Sequence, residues 1–213
     1  LITPDNERTM NTFLGSSSLL SENDISKESI KDSDYLLIEG YLVTSDTTLN
    51  VGIAAINIAH ENNTKTVITL SDPNIVSYFR DNMMKLFDKK SHIIFCNEQE
   101  ALNFSQANNL KDAEKFLKEL TDMYIITLGS KGAICFDGSN DHKITGHQVE
   151  SKDFTGAGDM FLGAFMHKYT DTNILESMKF ANYCASKIIQ IYGAKFNDSN
   201  DYQELQTKFK SLT

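Results

Sequence analysis

The chain of 213 residues reads as an α/β protein, a three-layer α/β/α sandwich around a largely parallel sheet. Two observations predict this class. Short apolar runs rich in β-branched residues alternate with longer stretches of helical periodicity. Glycine or acidic and amide residues follow those runs directly, at the carboxyl ends of strands where open α/β sheets collect ligands.

Taken in order, residues 1–20 pass from apolar to polar and end at Gly15-Ser16-Ser17-Ser18, and an acidic, serine-rich segment continues to Asp34. Tyr35-Leu36-Leu37-Ile38 is a compact apolar run closed by Glu39-Gly40 and predicts a buried strand. Across residues 49–60 the positions of Val51, Ile53, Ile56 and Ile58 suit a helix packed on a sheet. Residues 66–70 predict a second strand, stopped by the turn signal Ser71-Asp72-Pro73. Residues 93–96 predict a third strand and residues 124–128 a fourth, the latter after a helix over 111–120. Shorter β-like pieces follow at 133–136 and 143–149, around a turn at Asp137-Gly138. Helices near 159–169, 174–191 and 202–212 close the chain, and no repeat or linker divides residues 35–213.

The composition, 40% hydrophobic and 23% charged, is that of an ordinary folded protein. A formal net charge of -9 argues against nucleic acid or an anionic membrane as partner, because both would be repelled. No apolar run approaches the ~18 residues of a membrane span, and no signal peptide is visible, so a cytoplasmic location is expected. Cys96, Cys135 and Cys184 are far apart and each has apolar neighbours, which predicts reduced core thiols. The opening Leu1-Ile2-Thr3-Pro4 lacks methionine, as in a fragment or a processed chain.

Thr155-Gly156-Ala157-Gly158-Asp159 stands directly before the apolar helix that starts at Met160. Small residues entering a helix leave backbone N–H groups uncovered, and the helix N-terminus adds partial positive charge. Gly156, Ala157 and Gly158 thus form an anion site able to hold phosphate. Asp159 puts a carboxylate into that site. The contradiction disappears if a phosphoryl group is transferred there and Asp159 accepts the proton of the attacking hydroxyl. The bland alternative is a helix cap after a tight turn.

Asp153-Phe154-Thr155-Gly156-Ala157-Gly158-Asp159 resembles the signature of the ribokinase or phosphofructokinase-B family of sugar and nucleoside kinases, with its adenosine-kinase-like branch closest. Other segments match in order: Asn97-Glu98-Gln99-Glu100 after a strand, Thr127-Leu128-Gly129-Ser130-Lys131-Gly132, and Phe180-Ala181-Asn182. The resemblance implies a ribokinase-type sheet with the remnant of a β lid in residues 1–20 and an ATP-binding catalytic domain in 21–213. It implies ATP and Mg2+ as cofactors, with Asn97 and Glu100 helping to place the metal, mainly through water. It further implies that Thr127, Gly129 and Gly132 lie along the nucleotide, Asn182 meets adenine, and Arg8 and Phe154 face the acceptor. A monovalent cation, K+ in relatives, would sit near oxygens of Asp153, Thr155, Ile188, Ile191 and Gly193.

Each match has a bland alternative. Asn97 and Glu100 could only cap a helix, Gly129 and Gly132 only shape a turn, and Asn182 only be a buried amide. Lys131 reads as solvated, because GxxxxGK[ST] occurs nowhere in the chain. Phe154 departs from the Thr or Ser that the family pattern has there. The expected activity is transfer of the γ-phosphoryl group of ATP to a primary hydroxyl of a sugar or nucleoside. A non-catalytic nucleotide sensor of the same fold, or an inactive fragment, is the competing expectation. An uncovered sheet edge would favour self-association, with a homodimer as one outcome.

Overall fold

Val67 and Ile68, and Ile93 and Ile94 in the following strand, are each at most 2% exposed. Burial of successive residues, without alternation, marks parallel strands covered on both faces. The computed structural model describes residues 13–169 and 173–211. It contains six strands: β1 (Tyr35–Glu39), β2 (Lys65–Thr69), β3 (Ser91–Asn97), β4 (Thr121–Thr127), β5 (Ala133–Phe136) and β6 (Asp141–Ile144). They form one mixed, mostly parallel sheet in the order β1-β2-β3-β4-β5-β6, which confirms the α/β sandwich. β1 pairs with β2 in parallel, Tyr35 opposite Lys65, and β2 with β3, Val67 opposite Ile93.

The helices are α1 (Lys27–Lys31), α2 (Asp46–Glu61), α3 (Pro73–Tyr78), α4 (Arg80–Lys85), α5 (Glu98–Ser105), α6 (Leu110–Leu120), α7 (Ala157–Tyr169), α8 (Ile174–Ile188) and α9 (Ser199–Lys210). The chain packs as two compact units. One comprises residues 13–126 and 135–141; the other holds residues 127–134 and those from His142 onward.

In the first unit α2 begins at Ser45, whose hydroxyl accepts the N–H of Thr48 at 3.2 Å. It buries Val51, Ala55, Ile56 and Ala59 on one face. α6 is capped likewise by Asn109 and buries Ala113 and Leu117. Phe104, fully buried, meets Phe87 and Phe116 with ring centroids 5.4 and 5.3 Å apart. Cys96 and Cys135 are buried free thiols, as expected, and burial pushes Cys135 up to about 12.

In the second unit α7 packs along α8, which is buried over most of its surface. Ser177 and Ser186 tolerate that burial by donating to carbonyls of their own helix region, Asn173 and Tyr183. Phe209 of α9 lies against Phe180 and Tyr183 of α8 at ring distances of 5.2 and 5.7 Å.

Some boundaries differ from the sequence expectation. The strand expected over 143–149 is Asp141–Ile144, and the residues after it turn away as irregular chain. The helix expected to reach 191 stops at Ile188, because the following N–H groups bond three residues back, Gln190 to Lys187 at 3.3 Å and Ile191 to Ile188 at 3.2 Å. Gly15–Leu19 is a short 3-10 helix, while Arg8 and residues 10–12 lie outside the described residues.

One local arrangement gives the first unit a titratable end. The Nδ1 of His92, at the start of β3, accepts the backbone N–H of Thr66 in β2 at 3.0 Å, so it must carry a lone pair. The His60 ring lies 6.1 Å away, and its Nε2 is buried without a partner. Burial first, and then the charge of Lys89, lowers His60. Burial first lowers His92, aided by His60 and Lys65 and opposed by Asp122. Both groups therefore favour the fold above about pH 6.5, and that support is lost as pH falls toward their lowered folded values. Wild-type protein should lose stability relative to His92→Asn as pH falls from about 7 to 5. Solvent screening of the partly exposed ring keeps the change small. Thermal unfolding of both proteins across that range checks it, and a constant difference would exclude the coupling.

Candidate active site

At the carboxyl ends of β1, β2 and β3 the chain places Glu39, Asp72 and Asn97. Asp72 caps α3 by accepting the N–H groups of Asn74 and Ile75 at 2.7 and 3.2 Å. Asn97 caps α5 in a reciprocal box. Its Oδ1 accepts the N–H of Glu100 at 2.8 Å, while the Glu100 carboxylate accepts the Asn97 backbone N–H at 3.0 Å and its Nδ2 at 2.7 Å. The capping alternative for this pair is thus met in full. It leaves an unusual group behind, since Glu100 is only 5% exposed.

Burial raises Glu100 to about 7, the Asn97 N–H lowers it, and the negative charge of Asp72 raises it again. This is the charge pattern a divalent cation relieves: a buried carboxylate beside a second one, with lone pairs beyond the two used by Asn97. Asp72 as electrostatic neighbour was not apparent from sequence, because β2 and β3 bring it near only after folding.

The other candidate residues lie in the second unit. Gly156 has φ +80, and a Cβ there would lie 2.7 Å from the Ala194 carbonyl oxygen, so no other residue fits without displacing backbone. Phe154 gives its carbonyl to the N–H of Ala157 at 3.2 Å, and the first intrahelical bond of α7 runs from Met160 N–H to Gly156 at 2.8 Å. The N–H groups of Gly158 and Asp159 fall between these two, in the turn where an α-helix has no carbonyl to offer them. Gly158 and Asp159 are both exposed. Asp159 also forms part of the wall of a largely apolar cavity of about 410 Å³, with Met160, Ala164, Phe180, Cys184 and Leu205.

Asp153 is 1% exposed, and its two oxygens accept N–H groups from Thr155 and Gly193, each at 2.8 Å. Three residues of the expected cation site, Asp153, Thr155 and Gly193, are thereby brought together, and Ile191 donates its N–H to Ile188 at 3.2 Å in the adjoining turn. The sequence marked Asp153 and did not reveal this use of its side chain.

Thr127 ends β4, and Leu128 N–H donates to Gly132 at 2.8 Å, closing the turn. Gly132 has φ +104 and its missing Cβ would strike the Ile144 carbonyl, so packing alone demands glycine there. Gly129 has φ +57 with open space where a Cβ would be, which leaves its backbone accessible. Asn182, 9% exposed, donates Nδ2 to the Thr145 carbonyl at 3.0 Å and so ties α8 to the chain after β6. Phe154 is 38% exposed. Among the described residues no group of three or more His, Cys, Asp or Glu side chains is placed to hold a metal.

Glu100 makes a testable link between burial and pH. Its folded value lies above that of the unfolded chain, so the folded state holds the extra proton between about 4.5 and about 7. The stabilisation is complete below that window and is lost as pH rises through it, by about 3 kcal/mol at most. Wild-type protein should fall in stability relative to Glu100→Gln between pH 4.5 and 7 and run parallel above. Denaturant titrations at four pH values measure this, and a flat difference would contradict it.

Residues 1–201 match the pfkB family of carbohydrate kinases. A ribokinase of Lactococcus lactis is 36% identical over 100 residues, which are 46% of this chain and 33% of the relative. A ribokinase of Staphylococcus aureus is 24% identical over 204 residues, 91% of this chain and 63% of that one. The crystal structure of adenosine kinase from Sinorhizobium meliloti superposes with a TM-score of 0.90 at 28% identity, covering 100% of this chain and 64% of that chain. Aminoimidazole riboside kinase from Salmonella enterica, solved with aminoimidazole riboside and an ATP analog, shares the fold with a TM-score of 0.72 at 19% identity, over 90% of this chain and 66% of that one. The chain thus spans under two thirds of the length of these ribokinases. With a match over nearly its whole length, this chain belongs to the pfkB family of carbohydrate kinases.

Proposed function

We propose that the chain is the nucleotide-handling part of an ATP-dependent kinase acting on a primary hydroxyl of a sugar or nucleoside. The observation that carries this is the N-terminus of α7. Side chains cap α2, α5, α6, α8 and α9 through Ser45, Asn97, Asn109, Asn173 and Asp198. Gly156, before α7, has no side chain to do so, and Asp159 stands at the third helical position beside the N–H groups left over.

In the proposed reaction the acceptor hydroxyl lies against Asp159, whose carboxylate takes its proton as the oxygen attacks the γ-phosphorus. The bond from the γ-phosphorus to the β,γ-bridging oxygen breaks and ADP leaves. Backbone N–H groups from Gly156 to Asp159 stabilise charge on the transferring group. Thr127, Gly129 and Gly132 line the path of the nucleotide, Asn182 flanks adenine, and Arg8 and Phe154 belong to the acceptor side. Asn97 and Glu100 would hold Mg2+ largely through water, and the metal when bound supplies neutralising charge to the phosphates. Backbone oxygens of Asp153, Thr155, Ile188, Ile191 and Gly193 are the proposed surroundings of a K+ ion.

Residues 21–213 would constitute the catalytic domain and residues 1–20 the end of a lid or acceptor wall. A cytoplasmic location and a homodimer complete the proposal. Among the described residues no helix is long and apolar enough to cross a membrane.

Asp159→Asn tests the assignment. ADP formation with a panel of sugars and nucleosides should fall roughly 10²–10⁴-fold while nucleotide binding is retained. Unchanged turnover in the variant would remove Asp159 from its role. A wild-type protein that forms no ADP with any member of the panel would overturn the kinase reading.

A further inference from the structure

We infer that the side chain of Asp153 is a positioning residue for phosphoryl transfer, clamping the anion loop at 154–159 to the turn at 189–194; this rests on the kinase function proposed above. Burying a carboxylate is costly unless it is paired or hydrogen-bonded. Asp153 is almost completely buried, and its oxygens are taken up by two backbone N–H groups, from Thr155 two residues on and from Gly193 forty residues on. Bonds of this charge-assisted kind are among the stronger ones a protein makes.

Three further contacts join residues 152–156 to the same turn. The Ile189 carbonyl accepts the N–H groups of Lys152 at 2.7 Å and Asp153 at 3.3 Å. Gly156 lies so close to Ala194 that a single added carbon would reach its backbone. The loop that presents the Gly158 and Asp159 N–H groups is therefore fixed from both sides of its own turn, by the Asp153 carboxylate before it and the Gly156–Ala194 approach within it. Asp153 itself need not touch either substrate. It sets the direction of N–H groups whose value lies in alignment with charge that develops only during transfer.

The experiment compares wild type, Asp153→Asn and Asp153→Ala, in the whole protein, by steady-state kinetics and by amide hydrogen exchange. A clamp acting through alignment lowers kcat by roughly 100-fold in Asp153→Ala and leaves KM for ATP within about threefold. Asp153→Asn keeps one acceptor oxygen and should fall between the two. Exchange should quicken at Thr155 and Gly193 while α8 stays protected. If both variants fold with wild-type kcat, or show only a lower melting temperature, Asp153 is structural alone and the inference fails. If Asp153→Ala does not fold, Asp153→Asn decides by the same criteria. Failure of the kinase reading is separate, because it shows as absence of ADP formation by the wild type, and the inference then falls with it.

Discussion

An α-helix begins with N–H groups that have no carbonyl of their own, and the chain has to answer them with something. At α2, α5, α6, α8 and α9 it answers with a Ser, Asn or Asp side chain. At α7 it places Gly156, held there by a positive φ and by the backbone of Ala194. A glycine cap costs little beside Ser or Asn, but it leaves the partial positive charge of the helix end open to an outside anion. The turn at 189–194 holds the loop of that glycine in place. Gly193 donates to Asp153, the Ile189 carbonyl just past α8 accepts from Lys152, and Ala194 lies against the loop.

The carboxyl ends of the parallel strands meet the same requirement differently. Asn97 and Glu100 satisfy one another so completely that capping alone would account for both residues. Asp72, whose charge opposes ionisation of Glu100, is itself the cap of α3, so two caps at neighbouring strand ends bring the carboxylates within each other's influence. Their proximity has a cost that a cation would offset if bound, so structural and chemical roles of the pair are compatible rather than alternative.

Much of this was legible in the sequence because it is local. Runs such as Thr66 to Leu70 and Ile93 to Cys96 have the β-branched density of covered parallel strands, and the glycines around Ala157 mark their helix N-terminus without reference to the rest of the chain. The end of α8 was not legible, because Ile188 to Ile191 continue an apolar pattern while Gln190 and Ile191 turn to bonds three residues back. α3 and α4 are six residues each, too short for a helical period to establish itself, and the Pro73 that opens α3 reads equally as a turn. The carboxylate of Asp153 belongs to the same class of miss. Its partner Gly193 stands forty residues on, and only the fold sets them 2.8 Å apart.

Phe154 illustrates how a departure from a pattern can be absorbed. The loop uses its carbonyl, which accepts from Ala157, and relies for the rest on the carboxylate of Asp153 before it and the bare backbone of Gly156 two residues on. A position that contributes only backbone to a turn tolerates a change of side chain, provided the new group has somewhere to go. At 38% exposure the ring has found such a place on the surface and does not displace the loop.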